Sequence, residues 1–272
     1  MRYTIASNGV GYFFSDLIPC PHGFSTRIGG VSTLPHTATL NLGVERGDPL
    51  PVVLENLRRF GDAVRISSDQ IVSVPQIHSA TLRYVTADNG GEGFTRTAQM
   101  SCDGYYTDQR CVGLGVRTAD CVPILFYGST ADGDARIAAV HAGWRGTVKG
   151  IAVRAIQALL SMSVERETIA VAIGPSIGPC CYEVGADFYQ TVWEECGDEI
   201  ANKCCVPLDA QHWRADLRLM NVRLLHREGL QAHQIDLATQ CTCCDPVHFF
   251  SHRYCQRQNG LRGTMLSVIA LP

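Results

Sequence analysis

Lysine is nearly missing from this 272-residue chain: Lys149 and Lys203 are the only two. With a formal net charge of −3, the sequence lacks the basic surface that nucleic-acid binding requires. Apolar runs long enough to span a bilayer are missing as well. The opening stretch MRYTIASNGVGYFFSDLIPC has no basic start followed by a continuous apolar segment, so it does not read as a secretory signal. These absences argue against nucleic acid and membrane as partners and point to the cytoplasm. No repeat, low-complexity segment or Pro/Gly/Ser linker divides the chain, so residues 1–272 are expected to form one domain.

Cysteine is plentiful, with thirteen residues, an odd number. In a reducing compartment such thiols serve as small buried hydrophobes, metal ligands or nucleophiles, not as a disulfide framework. At 46% hydrophobic and 18% charged, the chain has enough apolar material for a substantial core. Arginine carries nearly all the positive charge. Its planar fork suits carboxylate and phosphate, which keeps anionic small ligands open.

His22–Gly43, rich in Gly, Ser and Thr, reads as a long ordered loop system too polar for core. DPLPVVLENLRRFGDAV reads as a helix with Pro near its start and Gly61 near its end. QIVSVPQIHSATLRYVT gives two extended pieces around Pro75. GLGVRTADCVPILFYG predicts a strand ending at Gly128, STADGD a turn, and ARIAAVHAGW a second strand. Val148, Ile151, Ala152, Ala155, Ile156, Leu159 and Leu160 form one helical stripe. TIAVAIGPSIG predicts a buried strand broken at Gly174-Pro175, and HFFSHRYCQRQNG and TMLSVIAL predict late strands. Without a sustained parallel crossover pattern, the class is α/β or α+β with a mixed sheet.

If the two central strands pair antiparallel about the Ala131–Gly133 turn, Cys121 and His141 lie nearly opposite one another. Opposed residues in such a ladder have Cα atoms about 4.5–5.5 Å apart, a span suited to two ligands of one zinc ion. The third ligand must come from elsewhere, and His78 in PQIHSA is the candidate. The structural alternatives are a cysteine that merely packs and a histidine that hydrogen-bonds within its turn. CTCCDPVHFFSHRYC crowds Cys241, Cys243, Cys244, His248, His252 and Cys255, either for a second metal or as buried and incidental thiols. Cys180 and Cys181 read as packing residues.

The motifs HGFSTRIGGVS, LNLG, PQIHS, DGYYTD, RTADCVPILF, AAVHAGWRGT, IGPSIGPCCYEV and CTCCDPVHFFSHR occur in this order along nearly the whole chain. Together they resemble the YfiH family, also called the laccase-domain or multicopper polyphenol oxidoreductase family. The resemblance implies one α/β domain of layered mixed sheets flanked by helices, with a core related to the cytotoxic necrotizing factor deamidases. It also implies a zinc site on His78, Cys121 and His141. HRYC departs from the family's pattern at His252 and Cys255.

The family name suggests copper oxidation. Nine histidines with no His-x-His pair do not suit a multicopper cluster, although Cu²⁺ would bind a His/Cys site in vitro. The resemblance implies instead phosphorolysis of adenosine, inosine and methylthioadenosine, with deamination of adenosine. A purine nucleoside and phosphate would then be the small-molecule partners. Phosphate has to be placed beside C1′ of the ribose, and Arg27, Arg117 and Arg145 are the candidate guanidiniums. Each has a structural alternative: ordering its loop for Arg27, pairing with Asp120 for Arg117, stacking on Trp144 for Arg145. Asp120 either relays a proton and orients a ligand or caps a turn. Asn41 binds ribose or holds its loop, and Glu183 is a general acid/base or a buried partner of an arginine. A second function follows from the deamidase relation: Cys121 as a nucleophile with His141 as its base, in an amidohydrolase that edits peptidoglycan precursors. A third is a noncatalytic zinc-bearing protein.

Overall fold

The computed structural model describes residues 1–258 and 260–272. Among these residues the strands form two six-stranded sheets and one three-stranded sheet. The first sheet is ordered Arg2–Ile5, Gly11–Phe14, His22–Ser25, Met265–Ala270, Gly113–Thr118, Ile71–Val72. The second is ordered Ile235–Leu237, Ala170–Ile173, Val122–Ser129, Ala135–Ala142, Gly104–Thr107, Leu82–Tyr84. Both are mixed: antiparallel in the middle, with parallel pairs where Ile71–Val72, Leu82–Tyr84 and Ile235–Leu237 join as edge strands. The small sheet joins Glu183–Gly185, His212–Ala215 and Cys205–Pro207. Among the described residues no helix is long and apolar enough to cross a membrane.

Side-chain alternation stacks the two large sheets face to face. Phe24, Leu114, Val116 and Ile269 of the first meet Leu125, Ile137 and Ala139 of the second. The opposite face of the second sheet (Ile124, Phe126, Ala138, Val140) packs on Ile151, Ala155 and Leu159 of helix Ile151–Ser161. It also meets Met220 of helix Leu217–Arg227. On the far side of the first sheet, Leu266, Val268 and Ala270 meet Val53, Leu57 and Phe60 of helix Leu50–Val64. The layers are therefore helix, sheet, sheet, helices. Burying each Leu, Ile or Phe contributes about 1.5–3 kcal/mol before chain entropy is counted.

Several sequence expectations need correction. His22–Gly43 is not all loop: His22–Ser25 is a fully buried central strand, because Phe24 alone supplies a large apolar group to the inter-sheet core. GLGVRTADCVPILFYG is two strands in different sheets, Gly113–Thr118 and Val122–Ser129, broken where Asp120 takes φ 106°. The helical stripe is split at Gly150, with φ 74°, between helices Trp144–Val148 and Ile151–Ser161. Gly61 does lie near the end of its helix, as expected; the helix runs on to Val64 and stops at Arg65 in the left-handed region. A Cβ at Gly61 would stand 2.4 Å from the Ile66 carbonyl oxygen, so glycine there lets the chain double back. HFFSHRYCQRQNG is not a strand. Ser251 Oγ accepts from Tyr254 N–H and starts the short helix His252–Gln256; residue 259 lies outside the described residues.

One buried ion pair braces the loop that walls the cavity described below. Glu92 is 1% exposed and its carboxylate accepts from Arg83 Nη1 at 2.6 Å and from Asn89 Nδ2 at 2.9 Å. Burial pushes its carboxyl up, but Arg83 and Asn89 more than offset this and hold it below the ordinary value. With the folded-state value depressed, the stabilisation is present above the ordinary carboxylate range and fades as pH falls through the lowered value. Glu92→Gln is expected to cost about 3 kcal/mol, because Arg83 loses its partner in a largely buried place. Urea denaturation at pH 7 and pH 4 checks this, with a smaller difference between variant and parent at the lower pH.

Candidate metal centre and its cavity

His78, Cys121 and His141 meet where the two large sheets open at one rim. His141 is the penultimate residue of strand Ala135–Ala142, and Cys121 lies one residue before strand Val122–Ser129. The ladder pairs Val122 with Ala142 and Pro123 with His141. Cys121 is thus diagonal to His141, two residues out of the expected direct opposition. The offset is even, so both side chains still leave the same face. His78 comes from the loop between Ile71–Val72 and Leu82–Tyr84 and sits at φ 60°.

The ligand atoms of the three side chains lie within 4.8 Å of one another, with His78 Nε2 4.0 Å from Cys121 Sγ. The imidazoles stand edge to face at 79°, centroids 4.9 Å apart. A Cβ on Gly143 would come 2.7 Å from His78 Cδ2 and 3.4 Å from Cys121 Sγ, so glycine leaves the room the donors use. Two imidazoles and one thiolate at this spacing, with His78 exposed, fit a tetrahedral metal that keeps one open position. Burial pushes the Cys121 thiol up, yet His141 and His78 more than offset it and bring it down to about 6. Burial likewise pulls His141 down, while Cys121 and Asp103 raise it to about 9.

Asp103, fully buried, organises this group, and the sequence reading missed it. His141 Nδ1–H donates to its Oδ1 at 2.8 Å, which leaves Nε2 as the free donor atom. The same carboxylate accepts from the backbone N–H groups of Ile77, His78 and Ser79 and from Ser79 Oγ. One side chain therefore sets both the tautomer of one histidine and the loop that carries the other. Gln76 pins the loop's entry by exchanging hydrogen bonds with the Arg117 backbone at 2.7 and 2.8 Å. The available signal was Asp-Gly at the head of DGYYTD, a lone acid opening a buried strand. Asp103→Asn, which puts an N–H₂ where an acceptor is required, is expected to weaken metal binding about 10–100-fold. Competition with a chromogenic chelator measures it.

A cavity of about 640 Å³ opens on His78, Cys121 and His141. That is within the range of small-molecule sites, about 300–1,000 Å³. Arg46, Arg117 and Arg262 line it together with Glu45 and Arg96. Arg117 Nη2 donates to the Ser73 carbonyl and its guanidinium lies over the Phe94 ring at 5.3 Å. Arg46 Nε donates to Thr264 Oγ1, and Arg262 Nε is buried without a partner among the described residues. Burial, with Arg46 adding to it, lowers the proton affinity of Arg262, and burial is the main cause of the same shift in Arg117. Guanidiniums in such surroundings are chemically suited to an oxyanion. A larger cleft of about 830 Å³, lined by Asn8, Asp16, His22 and Asp62 among others, shares none of these residues.

Of the residues expected at the site, His78, Cys121, His141 and Arg117 line the cavity; Arg27, Arg145, Asn41, Asp120 and Glu183 lie elsewhere. Arg27 donates to the carbonyls of Ala38 and Pro246 and lies over Phe250, so it orders its loop. Arg145 is exposed and stacks on Trp144 at 4.3 Å. Asn41 is fully buried: its amide donates to Gly43 O and Asp48 Oδ2 and accepts from Gly43 N–H and Thr264 N–H, with nothing left for ribose. Asp120 does not pair with Arg117; Thr242 Oγ1 and Arg253 N–H occupy its two carboxylate oxygens. Glu183 is exposed on an edge strand and does not line the cavity. Arg46 and Arg262 went unnoticed although each precedes a glycine, in ERGD and LRGT.

A layered α/β protein with a His₂Cys group suited to a metal, lining an arginine-rich cavity, is the class these observations define. Residues 21–272 match the family described as multi-copper polyphenol oxidoreductase laccase, and the chain belongs to that family. It is 34% identical to purine nucleoside phosphorylase YlmD of Geobacillus stearothermophilus, over 91% of this chain and 88% of that protein. It is also 34% identical to human purine nucleoside phosphorylase LACC1, over 94% of this chain but only 57% of that longer protein. Among solved structures, the YfiH protein of Bacillus licheniformis superposes with a TM-score of 0.89 at 28% identity, covering 99% of both chains. The crystal structure of the Geobacillus YlmD gives 0.87 at 30% identity, covering 99% of this chain and 98% of that one.

Proposed function

We propose that residues 1–272 act as one domain and as a cytoplasmic, zinc-dependent purine nucleoside phosphorylase. Its substrates would be adenosine, inosine and S-methyl-5′-thioadenosine, with adenosine deamination as a side activity. The observation that carries this reading is the shared cavity, lined both by the His₂Cys group and by four arginines, Arg46, Arg96, Arg117 and Arg262. The relatives named purine nucleoside phosphorylase support it. His78, Cys121 and His141 would hold the metal, which when bound supplies Lewis acidity. Arg46, Arg117 and Arg262 would hold phosphate against C1′ of the ribose. A phosphate oxygen then forms the bond to C1′ as the C1′–N9 bond breaks, and the electron pair and a proton leave with the purine. In the side reaction, water adds at C6 of adenine and ammonia departs. Asp103 acts through His141 and the 77–79 loop as a positioning residue. The donor set, one thiolate and two imidazoles with no second histidine cluster among the described residues, does not suit a multicopper oxidase, though Cu²⁺ would occupy it in vitro.

A second reading, the cysteine amidohydrolase acting on peptidoglycan precursors, is favoured by the thiol of Cys121 lying between two imidazoles. The two separate cleanly. Purified protein is incubated with each nucleoside, with and without phosphate, while free base, ribose 1-phosphate and ammonia are followed. Phosphate-dependent base release, lost with a chelator and regained with zinc, is the expected result. Silence across the nucleosides, with fast alkylation of Cys121 and turnover of a muropeptide by metal-free protein, would replace the first reading by the second.

A further inference from the structure

Four cysteines outside the cavity converge on one point. Cys180 and Cys181 follow Gly178-Pro179 beyond strand Ala170–Ile173; Cys241 and Cys244 follow strand Ile235–Leu237, its parallel neighbour. All four sulfurs lie within 4.8 Å of one another, with Cys244 Sγ 3.5 Å from Cys180 Sγ and 3.4 Å from Cys181 Sγ. Sulfurs placed tetrahedrally at a zinc–sulfur distance of about 2.3 Å are about 3.8 Å apart. We propose that Cys180, Cys181, Cys241 and Cys244 form a second, all-sulfur metal site that takes zinc as a structural tie between these two loops.

The surroundings suit a metal thiolate. Cys241 and Cys244 are spaced Cys-x-x-Cys in a tight turn, with Cys244 N–H donating to the Cys241 carbonyl at 3.2 Å. Gly178 N–H donates to Cys241 Sγ at 3.2 Å, as a backbone amide does when it faces a thiolate. Four thiolates around a divalent ion leave a net negative charge, and arginines are at hand: Arg214 Nη1 donates to the Cys180 carbonyl and Arg253 Nη1 to the Cys181 carbonyl. The sequence reading had crowded the tail residues together. In the structure Cys243 packs with Ile177 and Cys181 in a small apolar cluster, while His248, His252 and Cys255 stay out of the four-sulfur group. Half of that group comes from the Cys180–Cys181 turn, read from the sequence as packing.

The tie also reaches the first metal group. Thr242, between two of the sulfurs, donates from Oγ1 to Asp120 Oδ1 at 2.6 Å and from its N–H to the Ser176 carbonyl at 3.1 Å. The Asp120 carbonyl accepts from Ile177 N–H at 2.9 Å, and Cys121 is the next residue. A fastened pair of loops holds the backbone from which Cys121 projects.

The test is metal analysis of full-length protein purified in reducing buffer without chelator. Two zinc ions per chain are expected, and X-ray absorption should resolve an average of an S₄ and an N₂S environment. Cys180→Ser/Cys244→Ser should lose one of the two and melt at a lower temperature, while Cys243→Ser should keep both. His78→Ala should retain the all-sulfur zinc, so failure at the cavity is distinguishable from failure here. A wild-type chain with no sulfur-only component in its absorption spectrum overturns the proposal. So does a disulfide from Cys244 to Cys180 or Cys181 in the freshly purified reduced protein, read by alkylation and mass. Neither result depends on a variant folding.

Discussion

His78→Ala is expected to remove the metal held with Cys121 and His141 and to lower nucleoside phosphorolysis at least about 100-fold. Losing a mere orienting partner of a ligand already costs about 10–100-fold, and His78 is itself a donor. The variant should fold, because His78 is exposed, lies on a loop, and contributes nothing to the inter-sheet core. Surface substitutions of that kind usually change stability by no more than about 0.5 kcal/mol. The loop stays anchored too, since the bonds to Asp103 come from the backbone N–H groups of residues 77–79, which the substitution leaves intact. Metal-free parent and variant should therefore melt at the same temperature, while metal content and turnover of the variant fall. Cys121→Ala is less informative, because a thiol nucleophile would be lost as surely as a ligand. A His78→Ala protein with its metal and its activity unchanged would show that the third donor lies elsewhere.

How much of this was legible beforehand differs by level. Core strands announced themselves as short, nearly continuous apolar runs, as in Val122–Ser129, Ala135–Ala142 and Met265–Ala270, because both faces of these sheets are covered. The Cys121–His141 pair was visible for a different reason: once two strands joined by a short turn are aligned, ends of equal parity face the same way. What stayed hidden depends on departures from regular backbone. Asp120 in the left-handed region turns one apparent strand into two and moves Cys121 out of the ladder. Asp103, Arg46 and Arg262 stand in three segments far apart in the chain, and periodicity says nothing of which loops gather at one rim. Arg27 and Arg145 look as suitable as Arg46 and Arg262 by local composition. Their partners, Phe250 and Trp144, decide otherwise. The four-sulfur group was overlooked because its halves are about sixty positions apart and come together through the pairing of Ala170–Ile173 with Ile235–Leu237 and the contacts beyond it.

Arg262→Ala should separate the two reactions assigned to the cavity. Hydrogen bonds to a charged group are worth about 1.5–3 kcal/mol, so kcat/KM for phosphate is expected to fall about 10–100-fold. Adenosine deamination uses water and no phosphate, and should change little. Arg262→Lys keeps the charge but not the planar fork, and should recover only part of the loss. The stability of the variant carries as much information as its kinetics. Burial and the neighbouring Arg46 both disfavour the charged form of Arg262, and its Nε has no partner among the described residues. A side chain kept only for packing would not be held at such a cost, so removing it should leave the melting temperature unchanged or raise it. An anion that binds the folded state shifts the unfolding equilibrium. Phosphate is therefore expected to raise the melting temperature of the parent protein and to do so much less in Arg262→Ala. Equal losses in phosphorolysis and deamination, together with a lower melting temperature, would instead make Arg262 a structural residue and leave phosphate to another part of the cavity.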